Sequence, residues 1–419
     1  METEAIEKLA NKIETDLFPF HKKIRTIVEA NQKKVLEAFQ KHQVSDSHFN
    51  PTTGYGYDDR GREVLEEIYA EVFGTEDALV RPQIISGTHA ITLSLFGVLR
   101  PGDELLYITG KPYDTLEEIV GTRGEGSGSL RDFNINYKHV DLTEDGSVNF
   151  AQVKNAIHED TRMIGIQRSK GYDSRPSFTV HQIREMISFV KSVAPSCIVF
   201  VDNCYGELVE LEEPTDVGAD LMAGSLIKNP GGGLAKTGGY IVGRKDLIEK
   251  CANRLTAPGI GKEAGASLYS LQEMFQGLFM APHVVGESLK GALFTSRILE
   301  EFGFETMPSY KEERTDLIQS VNFPDADMMI TFCQAIQKAS PINSHVVPYP
   351  SPMPGYEHHV IMAAGTFIQG ASIELSADGP IRPPYTAYVQ GGLTYEHIKI
   401  AIVSAIEMMV EKGYNLTVK

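Results

Sequence analysis

Asp202 and, 26 positions on, Lys228 are the two residues of this chain whose types and spacing point most directly to chemistry. Lys228 lies in Gly-Ser-Leu-Ile-Lys-Asn-Pro-Gly-Gly-Gly (224–233), with Ser225 three positions earlier and glycines behind, so its amine has room to meet a flat ligand. Such an amine forms a Schiff base with an aldehyde. Asp202 closes the apolar run CIVFV, which places it at the carboxyl end of a central strand, where ligands of open α/β sheets bind. A buried carboxylate there keeps a pyridine nitrogen protonated, and the ring then accepts electrons from a substrate carbanion. The pair points to pyridoxal 5'-phosphate.

The phosphate of such a cofactor needs donors. After the apolar run PQII come Ser86, Gly87, Thr88 and His89, then a helical pattern, so free N–H groups and the positive end of the helix dipole would converge on an anion. Alone, the motif is also an ordinary turn capped by Ser86 or Thr88; the company of Asp202 and Lys228 makes it a phosphate site. Two other glycine tracts fail as nucleotide loops. GGGLAKTGG has Ala235 before Lys236 where a P-loop needs glycine, and GTRGEGSGS (121–129) follows a helical pattern where a dinucleotide fingerprint follows a strand. The latter reads as a loop near the site or at the surface. His358 and His359, beside Glu357 and downstream of His345, are adjacent and diverge in direction, so no metal is expected.

These residues need a frame. Helical patterns (REVLEEIYAEVF, THAITLSLFGVL, TVHQIREMISFVKSVA) alternate with short apolar runs (PQIIS, ELLYIT, MIGIQ, CIVFVD, GGYIVG), which predicts an α/β fold with a mainly parallel sheet covered by helices. Ahead of it, Ile24, Ile27, Val28, Val35, Ala38 and Phe39 recur at helical spacing, giving an amphipathic helix in an N-terminal arm, 1–60. A large cofactor-binding domain follows over 61–284. A smaller α/β domain is expected over 285–419, from helical SLKGALFTSRILEEFG, DMMITFCQAIQKA and YEHIKIAIVSAIEMMVEKG with strand-like HVIMAA and ASIEL between them. Five prolines between Pro341 and Pro354 mark an ordered surface loop.

At 419 residues and 42% hydrophobic content the chain can build two domains, since single cores stop growing near roughly 250–300 residues. A net charge of −17 opposes binding to a phosphate backbone, so nucleic acid is not an expected partner. Four widely spaced cysteines without a CxxC pair match neither a disulfide scaffold nor a zinc site. With no apolar leader or run of membrane-spanning length, the expectation is a cytoplasmic protein without membrane attachment.

YGYDDRGREVLE, SGTHA, the Asp202-to-Lys228 spacing with Ser225, and the tail IQGASIELSADGPIRPPY resemble the fold type I pyridoxal-phosphate enzymes of cysteine and methionine metabolism. Within that group they are most similar to the methionine γ-lyase-like branch, often labelled as cystathionine β-lyases linked to aluminium resistance. The resemblance covers the chain from about residue 50 onward. It implies the aspartate aminotransferase-like transferase fold: a mainly parallel seven-stranded sheet with a smaller C-terminal α/β domain. It also implies a homodimer or homotetramer with shared active sites, acting on a small amino-acid substrate.

Site roles follow from the resemblance residue by residue. Lys228 would carry the cofactor and serve as the base, and Asp202 would pair with the pyridine nitrogen. Gly87, Thr88 and Ser225 would hold the phosphate. Tyr113, in KPYDT, matches the catalytic aromatic that covers the pyridine face, although a half-buried core tyrosine fits the pattern equally. Tyr57 and Arg60 would reach the phosphate of a neighbouring subunit, with Arg62 competing for the place of Arg60. Arg382 would fork onto the substrate carboxylate, against the alternative of a surface salt bridge. The chain departs from better-known members in having Ile227 before the lysine and QRSKGYDSRPS ahead of the aspartate. That leaves Tyr172 or Arg168 for the cofactor's phenolic oxygen. The implied reaction eliminates a thiol from a sulfur-containing L-amino acid. Transamination, racemisation, β-substitution, or cofactor binding without catalysis are the alternatives.

Overall fold

The apolar runs between helices are hydrophobic at nearly every position, which suits strands covered on both faces more than strands with one wet face. In the computed structural model, which describes residues 3–125 and 127–418, such runs form the centre of a seven-stranded sheet. Its strands are β1 (Asp77–Arg81), β2 (Glu104–Tyr107), β3 (Asn136–His139), β4 (Thr161–Gln167), β5 (Ile198–Asp202), β6 (Leu221–Ser225) and β7 (Gly239–Gly243), in the order β1-β7-β6-β5-β4-β2-β3. Only β7 runs against its neighbours, so the expected mainly parallel sheet is present. Leu79, Leu105, Phe200, Leu221 and Ile241 from its strands pack with Ile91 and Leu95 of the helix Gly87–Val98 and with Leu247 and Ile248 of the helix Lys245–Leu255. Burial of each such side chain contributes on the order of 2 kcal/mol.

Two strands expected from sequence lie elsewhere. PQIIS is a turn and the strand before it is DALVR, because Ile84 is buried but Ile85 is exposed, leaving no continuous apolar run beyond Pro82. ASIEL is likewise irregular; the strand is the following SADGP, whose Asp378 accepts from the Gln390 amide at 2.9 Å. Gly126, inside the 121–129 stretch, lies outside the described residues.

The second sheet has five antiparallel strands, β8 (Glu305–Met307), β9 (Gln319–Asn322), β10 (Val360–Ala363), β11 (Ser376–Pro380) and β12 (Thr386–Gln390), in the order β10-β11-β12-β9-β8. The helices Ala326–Lys338 and Tyr395–Glu411 belong to the same unit, which is the expected smaller α/β element. The compact units are Met1–Asn31 with Met280–Lys419, and Gln32–Phe279, whereas the sequence reading put its divisions after residues 60 and 284. The difference arises from the first helix. It is unbroken from Thr3 to Lys41, and Ile6, Ala10, Ile13 and Leu17 extend its buried stripe far toward the N-terminus. Among the described residues no helix is long and apolar enough to cross a membrane.

Candidate cofactor site

Within the unit Gln32–Phe279, the carboxyl ends of the parallel strands carry the residues singled out above. Asp202 is the last residue of β5, buried, and its Oδ1 accepts the Cys204 N–H at 3.1 Å. Burial pushes its carboxyl above the ordinary range, while Lys228, the Cys204 amide and Arg175 pull in the opposite direction. Lys228 follows the adjacent strand β6 and enters the short turn Asn229–Gly231. Its Nζ lies 3.9 Å from the centroid of the Tyr205 ring. Burial lowers the proton affinity of this amine, and the groups around it, Cys204, Tyr205, Asp202 and Glu207, raise it above the usual value when they carry negative charge.

The glycine turn meets the same place. Ser86 caps the helix Gly87–Val98 through the His89 N–H at 3.0 Å, and the Gly87 and Thr88 amides have no hydrogen-bond partner among the described residues. A Cβ on Gly87 would stand 3.2 Å from both the Cys204 Sγ and the Ser225 Cβ, so the turn, the end of β5 and the end of β6 are in contact. Tyr113 stands at the start of the helix Asp114–Val120 without a side-chain capping bond, and its N–H donates to the Gln167 Oε1 at 2.6 Å. Gln167 is the register partner of Asp202. The Tyr113 ring is half-buried and lies 5.9 Å from the ring of Tyr172.

The chain matches the methionine gamma-lyase family over residues 6–410. It belongs to that family. A relative from Bacillus subtilis (strain 168), the uncharacterized protein YnbB, is 67% identical over 98% of this chain and 97% of its own length. The crystal structure of a Listeria innocua protein, provisionally named a cystathionine beta-lyase involved in aluminium resistance, superposes with a TM-score of 0.94 at 64% identity, covering 96% of this chain and 98% of that one. A Campylobacter jejuni protein, provisionally named an O-acetylhomoserine (thiol)-lyase, shares the fold at a TM-score of 0.58 and 15% identity, covering 83% of this chain and 85% of that one. That structure contains N'-pyridoxyl-lysine-5'-monophosphate.

Members of the methionine gamma-lyase family depend on pyridoxal 5'-phosphate, and this site fits it. Two unpaired helix-end amides suit a phosphate, a buried aspartate suits a protonated ring nitrogen, and an amine within the same enclosure suits an aldehyde. Other candidates fare differently. The Arg168 guanidinium is fully buried and bonded to the Asn203 Oδ1 at 2.8 Å, the Gly206 carbonyl at 3.0 Å and Glu210 at 2.8 Å. It braces the loop after Asp202. Arg175 does similar work, donating to the carbonyls of Pro176, Gln167 and Ser169. Tyr57 is 56% exposed and stacks on Tyr55 with rings 5.2 Å apart. Arg60 is exposed and pairs with Glu63 at 3.3 Å and Glu67 at 3.5 Å. Arg62 is buried and donates to the carbonyls of Gly56 (2.6 Å), Gly265 (2.7 Å) and Glu263 (3.2 Å), so it fixes the Tyr57 turn. In the other unit, half-buried Arg382 occupies the turn between β11 and β12, where its carbonyl accepts the Tyr385 N–H at 2.8 Å.

The sequence reading passed over the residues directly after Asp202. Cys204, Tyr205 and Glu207 all surround Lys228 electrostatically, and Asn229 donates to the Tyr205 and Glu207 carbonyls at 3.0 and 2.9 Å. Their signal was position alone: the stretch leaves the carboxyl end of a central strand. Burial holds the Cys204 thiol well above its usual value and pushes the Glu207 acid up to about 8.

Proposed function

We propose that this member of the methionine gamma-lyase family is a carbon–sulfur lyase acting on a sulfur-containing L-amino acid. The observation that carries the reading is the convergence of Lys228, Asp202 and the Gly87 turn at adjoining strand ends. Pyridoxal 5'-phosphate, when bound, supplies an electron sink that acidifies the substrate Cα–H.

The residues divide the remaining work. The Lys228 amine would hold the cofactor covalently and, once released by the substrate amine, accept the proton from Cα. The Asp202 carboxylate would hold a proton on the ring nitrogen. The Gly87 and Thr88 amides and the Ser225 hydroxyl would bind the phosphate. Tyr113 would cover the ring face, with Tyr172 beside it as a donor to the phenolic oxygen. Arg382 would orient the α-carboxylate through paired donors. Exposed Tyr57 and Arg60 would complete the phosphate site of a second subunit, which makes the working protein a homodimer or a homotetramer. Its domains would be the arm 1–60, the large domain 61–284 and the small domain 285–419, in a cytoplasmic protein.

The test is product analysis. Purified protein is incubated with cystathionine, methionine, cysteine and homocysteine, and keto acid, ammonia and released thiol are measured. Equimolar keto acid, ammonia and thiol supports elimination. The D-amino acid with no thiol release would replace the lyase reading by racemisation, and, with an added keto acid as amino acceptor, a keto acid that keeps the sulfur would replace it by transamination. Arg382→Lys should lower kcat/KM by roughly 2–4 kcal/mol of transition-state binding while the cofactor stays bound.

A further inference from the structure

Glu207 is a buried carboxyl with no task in the reading above. It is 0% exposed, five positions past Asp202 in the turn-rich stretch that leaves β5. Its Oε1 accepts the Tyr240 hydroxyl of β7 at 2.8 Å, while its Oε2 is buried without a hydrogen-bond partner. No ion pair reaches it among the described residues. The space it occupies exists because residue 224 lacks a side chain. A Cβ on Gly224 would stand 2.5 Å from the Glu207 Oε1 and 2.7 Å from the Tyr240 hydroxyl.

The same residue is tied to the lysine turn. Asn229, next to Lys228, donates to the Glu207 carbonyl at 2.9 Å and the Tyr205 carbonyl at 3.0 Å, and the Lys228 Nζ rests over the Tyr205 ring. Two more buried atoms nearby lack partners, the Asn229 Oδ1 and the hydroxyl of Tyr69, whose ring lies 5.9 Å from that of Tyr240. A buried enclosure of this kind disfavours a carboxylate and accepts a neutral acid, which can also donate.

We propose that Glu207 is a positioning residue for Lys228: an uncharged acid at neutral pH, it leaves Asp202 as the single charged carboxylate facing the lysine amine, and its ionisation closes the working range on the alkaline side. The proposal rests on the reading of Lys228 as the cofactor-bearing lysine. The groups facing Glu207 from each neighbouring element accord with it. Burial raises the phenols of Tyr69, on the helix Arg60–Val72, and of Tyr240 on β7, and raises the Cys204 thiol after β5, so all three stay neutral. Burial likewise dominates at Glu207, where its own backbone amide, the Tyr240 hydrogen bond and Lys228 oppose the rise and Glu213 adds to it. Arg168 is engaged with Glu210 and Glu213. Below the Glu207 transition the lysine faces one charged carboxylate. Above it the lysine faces two, and its amine keeps the proton that it must lose to act as nucleophile or base.

The experiment titrates the absorbance of the bound cofactor from neutral into alkaline pH in wild-type holoenzyme, Glu207→Gln and Glu207→Asp. The wild type should show a transition near pH 8. Glu207→Gln should lack it, move the lysine-linked transition by about one pH unit, and carry the alkaline limb of kcat/KM to higher pH. The infrared difference spectrum should lose one protonated-carboxyl band in Glu207→Gln. An unchanged titration in cofactor-loaded Glu207→Gln overturns the proposal. A wild-type protein that binds no cofactor overturns the underlying reading of the site instead. Should Glu207→Gln fail to fold, the wild-type infrared spectrum and the Glu207→Asp titration decide. Absence of a protonated carboxyl at neutral pH, or an identical Glu207→Asp titration, also overturns the proposal.

Discussion

Two regions of the same compact unit hold their functional groups in opposite ways. Around Lys228 the groups Asp202, Asn229 and Arg168 are buried and tie the site together within one chain: Asp202 accepts the Cys204 amide, Asn229 holds the lysine turn and Arg168 braces the loop between them. In the segment Tyr55–Arg62 the Asp59 and Arg62 side chains are buried, while Tyr57 and Arg60 are exposed with surface partners. The difference separates groups that the fold holds in place from groups held only by exposed surface contacts. It also shows that Arg60 and Arg62, two positions apart, have different work.

Replacing the residue at the centre of the buried region should have the largest effect. Lys228→Ala should lose at least about 10³-fold in turnover, since general acid–base groups alone contribute 10²- to 10⁴-fold. Borohydride should fix the cofactor to the Lys228 peptide in wild type and to no peptide in the variant. Fixation on Lys170 or Lys236 would overturn the contrast at its root. Next comes Arg62→Ala, which removes three charge-assisted hydrogen bonds from a buried guanidinium and should cost on the order of 3 kcal/mol in denaturant unfolding. A loss near zero would place Arg62 with Arg60.

The third effect depends on pH. The Glu207 carboxyl has a folded value of about 8 against an ordinary 4.5, so between these values the folded protein binds the proton more tightly than the unfolded chain. Wild-type stability from this group is therefore full below the unfolded value and declines as pH rises through the folded one. Glu207→Gln removes the decline. Its Tm relative to wild type should climb between pH 5 and pH 8, and a flat difference across that window argues against a buried neutral acid.

Arg60→Ala should be the mildest change to the fold, within about 0.5 kcal/mol, because its ion pairs are exposed. Its effect should appear in assembly. Mixed with Lys228→Ala protein under proven subunit exchange, it should regain part of the activity through hybrids that hold one intact site. No recovery would put Arg60 in its own subunit's site or outside any site.

The legibility of the chain followed the same divide. Asp202 and the Gly87 turn stand out as candidates because each sits at a strong local pattern, the end of an apolar strand or a helix start, whereas Lys228 stands out by its spacing from Asp202 and the glycines behind it. β5 and β4 were plain from CIVFVD and MIGIQ. β6 was not, since LMAGS is short of branched residues; its small residues answer a demand from Glu207 and Tyr240 that arises only after folding. β11 was hidden for a related reason: Asp378, Gly379 and Pro380 read as a turn until Gln390 arrives to bond the aspartate. Glu207 looked like one acidic residue among many. Its burial depends on β6, β7 and the helix Arg60–Val72 meeting around it, which no window of sequence displays.

Arg168 also bears on how the protein responds to ionic strength. Its guanidinium is wholly enclosed, its bonds to Asn203 and Gly206 are buried, and its Glu210 partner is only slightly exposed. In salt of about 1 M, exposed charges separated by more than roughly 3 Å are screened, so the Arg60 pairs with Glu63 and Glu67 at 3.3 and 3.5 Å weaken, whereas a buried network is screened much less. Rising salt therefore loosens the solvent-facing arginine while the brace behind Asp202 keeps its shape, so ionic strength can tune one half of the proposed shared site independently of the other.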